Sequence, residues 1–407
     1  MYDVIVIGAG PGGSTTAYYL AQAGLSVLLL DKADFPREKT CGDALTPRAV
    51  AALDGLGLLP MLHRSAHRVA SVDVVAPNGR STTAELTTHA DRPAYAMVVP
   101  RLVLDAAIYE RAVASGAHFQ GKTHVTDIEQ TASGVVVRAR QGGSGVSFAG
   151  RLAVIATGAS TKLLLQTGLL KQVPLTIVAA RAYFEDIPDL SQHLRFHFNG
   201  VPLPGYGWVF PLSETRANIG FGTLRAASNG GGRAGKPADF VPFINAPHMR
   251  GLLAGARQVG PAKSYPLRTD FATAPTVGKR VLAVGEAAGL VNPVTGEGID
   301  YALESGKLAA EHLIGMFTSG DLAQEALQSY DGVLRHHFQA LFIYCQRRQR
   351  LIGSRWVLNQ LIRAVDRREA YRQKLINILL GQVEVTMAAS HKPLWKTVVS
   401  AAAAGLR

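Results

Sequence analysis

Residues 2–32 read YDVIVIGAGPGGSTTAYYLAQAGLSVLLLDK, and no other stretch narrows the fold as much. Val4 to Ile7 forms an apolar strand, and Gly8, Gly10 and Gly13 make a G-x-G-x-x-G turn. A helix follows with Ala17, Leu20 and Ala21 on its inner face, then a second strand, Val27 to Leu30, which Asp31 closes. Gly8 permits the tight turn, Gly10 lets backbone approach a pyrophosphate, and Gly13 lets helix and sheet pack closely. The helix start presents free N–H groups and a positive dipole end to phosphate. The Asp31 carboxylate is placed to accept hydrogen bonds from ribose hydroxyls. A Rossmann-type α/β domain that binds a dinucleotide is therefore expected, with FAD and NAD(P) both open.

Three later segments bear on that choice. In VVPRLVLDAAIYERAVASGA, Leu102, Leu104, Ala106 and Ile108 mark an amphipathic helix with Asp105 outward and Arg101 at its start. An arginine there opposes the helix dipole, so an anion beside it is expected. RLAVIATGAS is an apolar strand running into Thr157-Gly158, which lets backbone pass close to a ligand at the carboxyl end of a sheet. In GKRVLAVGEAAGLVNPVTGEGIDYALESG, the strand Val281 to Val284 leads into Gly285-Glu286, and Gly296 and Gly298 precede a helix from Ile299. Glu286 can bond hydroxyls of an extended cofactor, and bare N–H groups at Gly296 and Gly298 suit a ring gaining negative charge. A second anchoring strand fits the longer FAD.

The chain also resembles a known family, the FAD-dependent geranylgeranyl reductases, within the p-hydroxybenzoate hydroxylase-like flavoproteins. The likeness rests on the glycine turn at 8–13, FPREKTCGDALTPRAV at 35–50 and PRLVLD at 100–105. It continues through ATGAS at 156–160, PGYGWVFPL at 204–212 and GEAAGLVNPVTGEGIDYALESG at 285–306. The second and fifth of these are similar to the branch that reduces isoprenoid side chains, menaquinone reductases included. Where Asp31 and Glu286 stand the family has Glu and Asp, so each keeps a carboxylate and changes its reach by one methylene.

The resemblance implies a GR2-like FAD-binding domain built discontinuously from 1–75, 95–170 and 270–320. It further implies an inserted antiparallel-sheet substrate domain from 76–94 and 171–269, and a helical C-terminal region from 321–407. It assigns FAD contacts to Gly8, Gly10, Pro11, Gly12, Gly13, Asp31, Lys32, Arg37, Cys41, Gly42 and Arg101. Val125, Thr157, Gly158, Gly285, Glu286, Gly296, Gly298 and Ile299 complete that set. Cys41, Tyr206 and Trp208 are the catalytic candidates, and Tyr206, Trp208, Phe210 and Pro211 are expected to line the substrate pocket.

In PGYGWVFP the three aromatics fall at alternate positions and so share one face of a strand. Core packing alone would explain them. Gly205 and Gly207, however, leave the other face bare, which invites close approach by a ring or another strand. The reaction implied is hydride transfer from N5 of reduced FAD to an isolated C=C of a polyprenyl chain, with a proton added to the neighbouring carbon. Cys41, Tyr206 and an ordered water are candidate acids. The electron donor is NAD(P)H or a redox protein. Two rivals stand: a flavin monooxygenase or halogenase of an aromatic substrate, and a non-catalytic prenyl-lipid binder. Halogenases typically carry W-x-W-x-I-P where this chain has Tyr206-Gly-Trp208-Val-Phe210-Pro211.

Among the 407 residues, 42 Gly, 20 Pro and 47% hydrophobic residues describe a globular chain of two or three domains. The two cysteines, Cys41 and Cys345, make no disulfide framework. The twelve histidines show no metal spacing, and the adjacent His336 and His337 are expected in solvent. SNGGGRAGKP at 228–237 lacks the preceding strand of a phosphate cradle. The formal charge is +12, and residues 331–407 carry 13 Lys/Arg against 4 Asp/Glu. Leu351, Ile352, Trp356, Leu358, Leu361 and Ile362 alternate there with arginines as in amphipathic basic helices. Without a nucleic-acid motif, an anionic membrane surface is the expected partner of that charge. No secretory signal and no apolar run of about 18 residues is visible. A cytoplasmic monomer, peripherally membrane-associated, is the expectation.

Overall fold

The computed structural model describes residues 1–89, 91–223, 240–349, 351–383 and 385–386. The loop at 228–237 and the chain end at 387–407 lie outside them. A parallel sheet forms the centre of the cofactor half, in the order Val281–Ala283, Ser144–Ile155, Tyr2–Ile7, Val27–Leu30, His118–Gln120. Val4, Ile5, Val6 and all of Val27–Leu30 are buried, as expected of strands covered on both faces. The antiparallel strands Thr123–Gln130 and Val135–Gln141 extend from Ser144–Ile155.

The helix Pro11–Gln22 starts with proline at its first position, where no backbone N–H is needed. It packs on the long helix Ile299–Ser319, and glycines make the contact possible. A Cβ on Gly306 would lie 2.5 Å from the Gly12 carbonyl oxygen, and Thr16 Oγ1 donates to the Gly306 oxygen at 3.1 Å. Arg48, on the helix Pro47–Gly55, grips Glu304 of the long helix through Nε and Nη2.

A second, seven-stranded sheet runs Arg257–Arg268, Thr176–Glu185, Ala217–Thr223, Gly205–Pro211, Leu194–His197, Ser71–Val75, Ser81–Glu85. Its pairs are antiparallel except Leu194–His197 with Ser71–Val75. The two faces of this sheet bury different cores. Trp208, Phe210 and Phe196 pack with Leu358, Ile362, Ile376 and Leu379 of the C-terminal helices. Val209, Ile219 and Phe221 pack on the other side with Phe240, Phe243 and Met249.

That second core answers the question of Gly205 and Gly207. A Cβ on Gly207 would lie 2.2 Å from Phe243 Cζ, and one on Gly205 would lie 2.6 Å from the Gly222 carbonyl oxygen. The bare face is occupied by a protein ring and a neighbouring strand.

The C-terminal helices are Gln324–Gln349, Arg355–Asp366 and Glu369–Leu379. Leu358, Ile362 and Val365 form the buried stripe of the second of these, whereas Trp356 is 67% exposed and stands off the apolar face expected of it. Of the histidine pair, both in the first of these helices, His337 lies 3.2 Å from Glu304. No helix among the described residues is long and apolar enough to cross a membrane.

Candidate active site

Between the two sheets lies a cavity of about 520 Å³, within the usual range for a ligand site. The glycine turn forms one end. Gly8 adopts φ +103°, and a Cβ there would strike the Ala156 carbonyl oxygen at 2.3 Å. A Cβ on Gly10 would instead stand in the open edge of the cavity, 3.6 Å from Arg37 Nη2. Pro11 and Gly12 continue this wall. Gly13 does not reach it; its place is against the Gly8 oxygen and Ala156 Cβ, where helix meets strand.

Asp31 is held at the strand end by two backbone donors, Ala9 N–H and Ala33 N–H, each at 2.9 Å. Lys32, Val125, Thr157 and Gly158 border the same region. Arg37 lies 3.1 Å from Asp105 and 3.6 Å from Asp31. Arg101 bonds both oxygens of Asp105, at 2.6 and 2.8 Å. Asp105, expected outward, is therefore fully buried, and the helix Arg101–Ala114 turns Leu104, Asp105, Ala107 and Ile108 inward with Leu102 in solvent. The anion that Arg101 needs comes from its own helix, while its remaining edge still borders the cavity beside Cys41.

Gly285, Glu286, Gly296, Gly298 and Ile299 also line the cavity. Their N–H groups are not bare, which corrects the sequence expectation. Glu297 Oε1 accepts from Gly298 at 3.0 Å and Ile299 at 2.8 Å, and Gly296 N–H donates to Asn292. The N-cap, Gly298, has no side chain to offer, and the carboxylate of the residue before it takes up these donors instead. Burial raises the Glu297 and Glu286 pKa values; backbone donors oppose the first shift and Lys39 the second.

At the opposite end the wall turns apolar. Tyr206, Trp208 and Phe210 line it together with Leu194, Phe196, Ile177, Leu379 and Leu380. Pro211 is buried outside the cavity. Trp208 lies flat across Gly220, where a Cβ would come within 2.0 Å of Cζ2, and its Nε1 donates to Asn218 Oδ1 at 3.0 Å. Tyr206 donates its hydroxyl proton to the Thr295 carbonyl oxygen. The Cys41-Gly42 loop rests on this wall, with the Gly42 Cβ position 3.3 Å from both Phe210 Cε2 and Trp208 Nε1. Burial raises the Cys41 thiol pKa, and Arg101 works against it.

A sequence profile described as an FAD binding domain matches residues 1–342. A menaquinone reductase of Mycobacterium tuberculosis is 36% identical over 340 residues, covering 79% of this chain and 78% of that one. The chain belongs to the geranylgeranyl reductase family of FAD-dependent oxidoreductases. A digeranylgeranylglycerophospholipid reductase of Methanopyrus kandleri is 29% identical over 84% of this chain and 88% of its own. Among solved structures, a geranylgeranyl bacteriochlorophyll reductase-like protein of Thermoplasma acidophilum superposes with a TM-score of 0.81 at 22% identity, over 98% of both chains. A flavin-dependent brominase shares the fold, with a TM-score of 0.75 at 19% identity over 99% and 98% of the two chains.

The residues present in this family member fit an FAD. The turn leaves Gly10 open for phosphate, a strand-end acid stands beside it, and several cations, Arg37, Lys39 and Arg101 among them, border the cavity. Lys39 is a residue that sequence inspection passes over. Its Nζ sits 3.0 Å from the Tyr265 ring centroid, and burial lowers its pKa to about 8 despite Glu286 nearby. Also passed over is a polar cluster beside the apolar wall, where Asp43 and Arg181 border the cavity. Asp43, wholly buried, accepts from Tyr183 Oη at 2.7 Å and Asn218 Nδ2 at 2.8 Å. Arg181 lies against the Tyr183 ring and bonds Glu38 at 2.9 Å. Asp43 stands inside the stretch FPREKTCGDALTPRAV, but its partners sit 140 and 175 residues downstream.

Proposed function

We propose that the protein saturates C=C bonds in the isoprenoid chain of a prenylquinone or related lipid. One observation carries the reading: a single cavity joins a dinucleotide turn to a wall of aromatic and aliphatic side chains with few polar atoms. Such a wall suits a ligand that offers no hydrogen-bonding handle. Both curated relatives above are named for reduction of isoprenoid lipids.

FAD, held by the turn, Asp31 and the residues around Gly158 and Glu286, supplies hydride when bound and reduced. The protein's part is to place an unactivated alkene and keep water away from it. Trp208 and Tyr206 are fixed by hydrogen bonds at their polar ends, which leaves their rings as rigid surfaces for orientation. NAD(P)H or a redox protein provides the electrons. The exposed Trp356, with Arg355 and Arg363 on the same helix, serves as a contact to an anionic membrane in which such lipids reside.

Anaerobic mixing of the dithionite-reduced holoprotein with a menaquinone bearing an unsaturated prenyl chain tests the reading. Flavin reoxidation with a product two mass units heavier per bond supports it. Reoxidation only on admission of oxygen, with a hydroxylated or halogenated product, overturns it in favour of a monooxygenase or halogenase. No redox response in either condition leaves a lipid-binding flavoprotein.

A further inference from the structure

We propose that Asp43 is the acid that delivers a proton to the alkene carbon not receiving the hydride. The assignment rests on the reductase reading above. Asp43 borders the cavity in the loop that carries Cys41 and Gly42 onto the aromatic wall, and it holds φ +65°, a conformation uncommon outside glycine. Its two oxygens are treated differently by the fold. Oδ2 accepts from both Tyr183 and Asn218, whereas Oδ1 is buried without a hydrogen-bond partner among the described residues. A buried, ionised carboxylate with a naked oxygen is strongly disfavoured, whereas a carboxylic acid with its proton on Oδ1 is not.

The other acids nearby are committed. The Tyr206 hydroxyl proton is bonded to Thr295, and Glu297 Oε1 is engaged by the N–H groups of Gly298 and Ile299, although burial raises that carboxyl as well. Burial raises the Asp43 pKa; Tyr183, Asn218, Arg181 and Arg101 hold the carboxylate once it forms. Cys41 is the remaining titratable group facing it.

The chemistry balances. One alkene carbon gains the hydride, the O–H bond at Oδ1 breaks, its proton forms the second C–H bond, and Asp43 is left as the carboxylate. Tyr183, partly buried, hydrogen-bonds the other oxygen, and uptake of one proton from solvent at Oδ1 restores the acid before the next turnover. Asn218 ties the acid to the substrate wall, since it accepts from Trp208 Nε1 while donating to Asp43.

The experiment uses FAD-loaded, full-length protein reduced under anaerobic conditions and mixed with the same menaquinone. Asp43→Asn keeps the shape and removes the proton. It is expected to slow flavin reoxidation by the prenyl substrate about 10²–10⁴-fold. Reoxidation by ferricyanide, which needs no proton on carbon, stays within a few-fold of wild type. The wild-type rate falls at alkaline pH as Asp43 ionises, and Asp43→Asn lacks that limb. Infrared difference spectra of the oxidised protein supply a readout free of turnover: a protonated-carboxyl stretch that alkali removes, absent in Asp43→Asn. A variant within about threefold of wild type, or wild-type spectra with no such band, overturns the assignment while leaving the reductase reading intact. A wild-type protein inert to the prenyl substrate overturns the reductase reading and the donor role with it.

Discussion

Trp208 is at once core and wall: 5% exposed, stacked on Phe210, spread over Gly220 and hydrogen-bonded to Asn218. Replacing it with alanine removes the ring proposed to place the alkene and opens a void between sheet and C-terminal helices. Trp208→Ala is predicted to abolish prenyl turnover while retaining FAD, and to cost about 3–5 kcal/mol of stability by urea unfolding. Full turnover in that variant would reduce Trp208 to packing. On the other face of the same strand, Gly207→Ala would drive a methyl into Phe243 and should lower the melting temperature without altering the flavin spectrum. The alternation of aromatics and glycines was legible because strand geometry converts period two directly into faces. What filled the glycine face was not, since Phe243 comes from a segment 36 residues on. Gly8 was legible because its turn demands φ > 0, and Asp31 and Glu286 because each stands at the end of an apolar strand, whereas Cys41 was read from the family resemblance. Asp43 and Lys39 draw their meaning from partners brought together only by folding.

At the scale of elements, the glycine turn, the parallel strands and the long helix after Gly298 follow from local patterning. The helix Arg101–Ala114 departs from it, because a buried ion pair at i, i+4 takes a position that an apolar count assigns to solvent. The helix Arg355–Asp366 departs in the opposite sense. Its buried stripe is Leu358, Ile362 and Val365, and Trp356 projects to solvent among arginines. Trp356→Ser is predicted to weaken cosedimentation with vesicles containing phosphatidylserine several-fold and to leave the melting temperature unchanged. Equal binding by the two proteins would remove this helix as a membrane contact.

For the whole molecule, acid is the expected weakness, and two groups set its range. His197 lies in the second sheet with its pKa lowered to about 3, first by burial, with the Asn199 bond opposing. The unfolded chain takes up that proton near pH 6.5 and the folded one only near 3, so stability falls as pH drops through this window. Glu304 is partly buried, which raises its pKa, but its bonds to His337 and Arg48 outweigh that and bring it down to about 2; its contribution is complete above about 4.5 and is lost towards 2. Each group adds a slope of at most about 1.4 kcal/mol per pH unit. Urea midpoints measured from pH 7 to 4 should decline, and less steeply in His197→Gln; identical slopes would show that His197 titrates alike in both states.

Leu379 and Leu380 close the far end of the cavity, yet they stand beyond residue 342, where the match to the FAD-binding profile stops. Most of the apolar wall, Tyr206, Trp208 and Phe210 among it, lies within that matched span, and these two leucines add to it from outside. In the proposed reductase, exchanges at these two leucines would lengthen or shorten the space for the prenyl tail while every residue of the dinucleotide turn stays as it is.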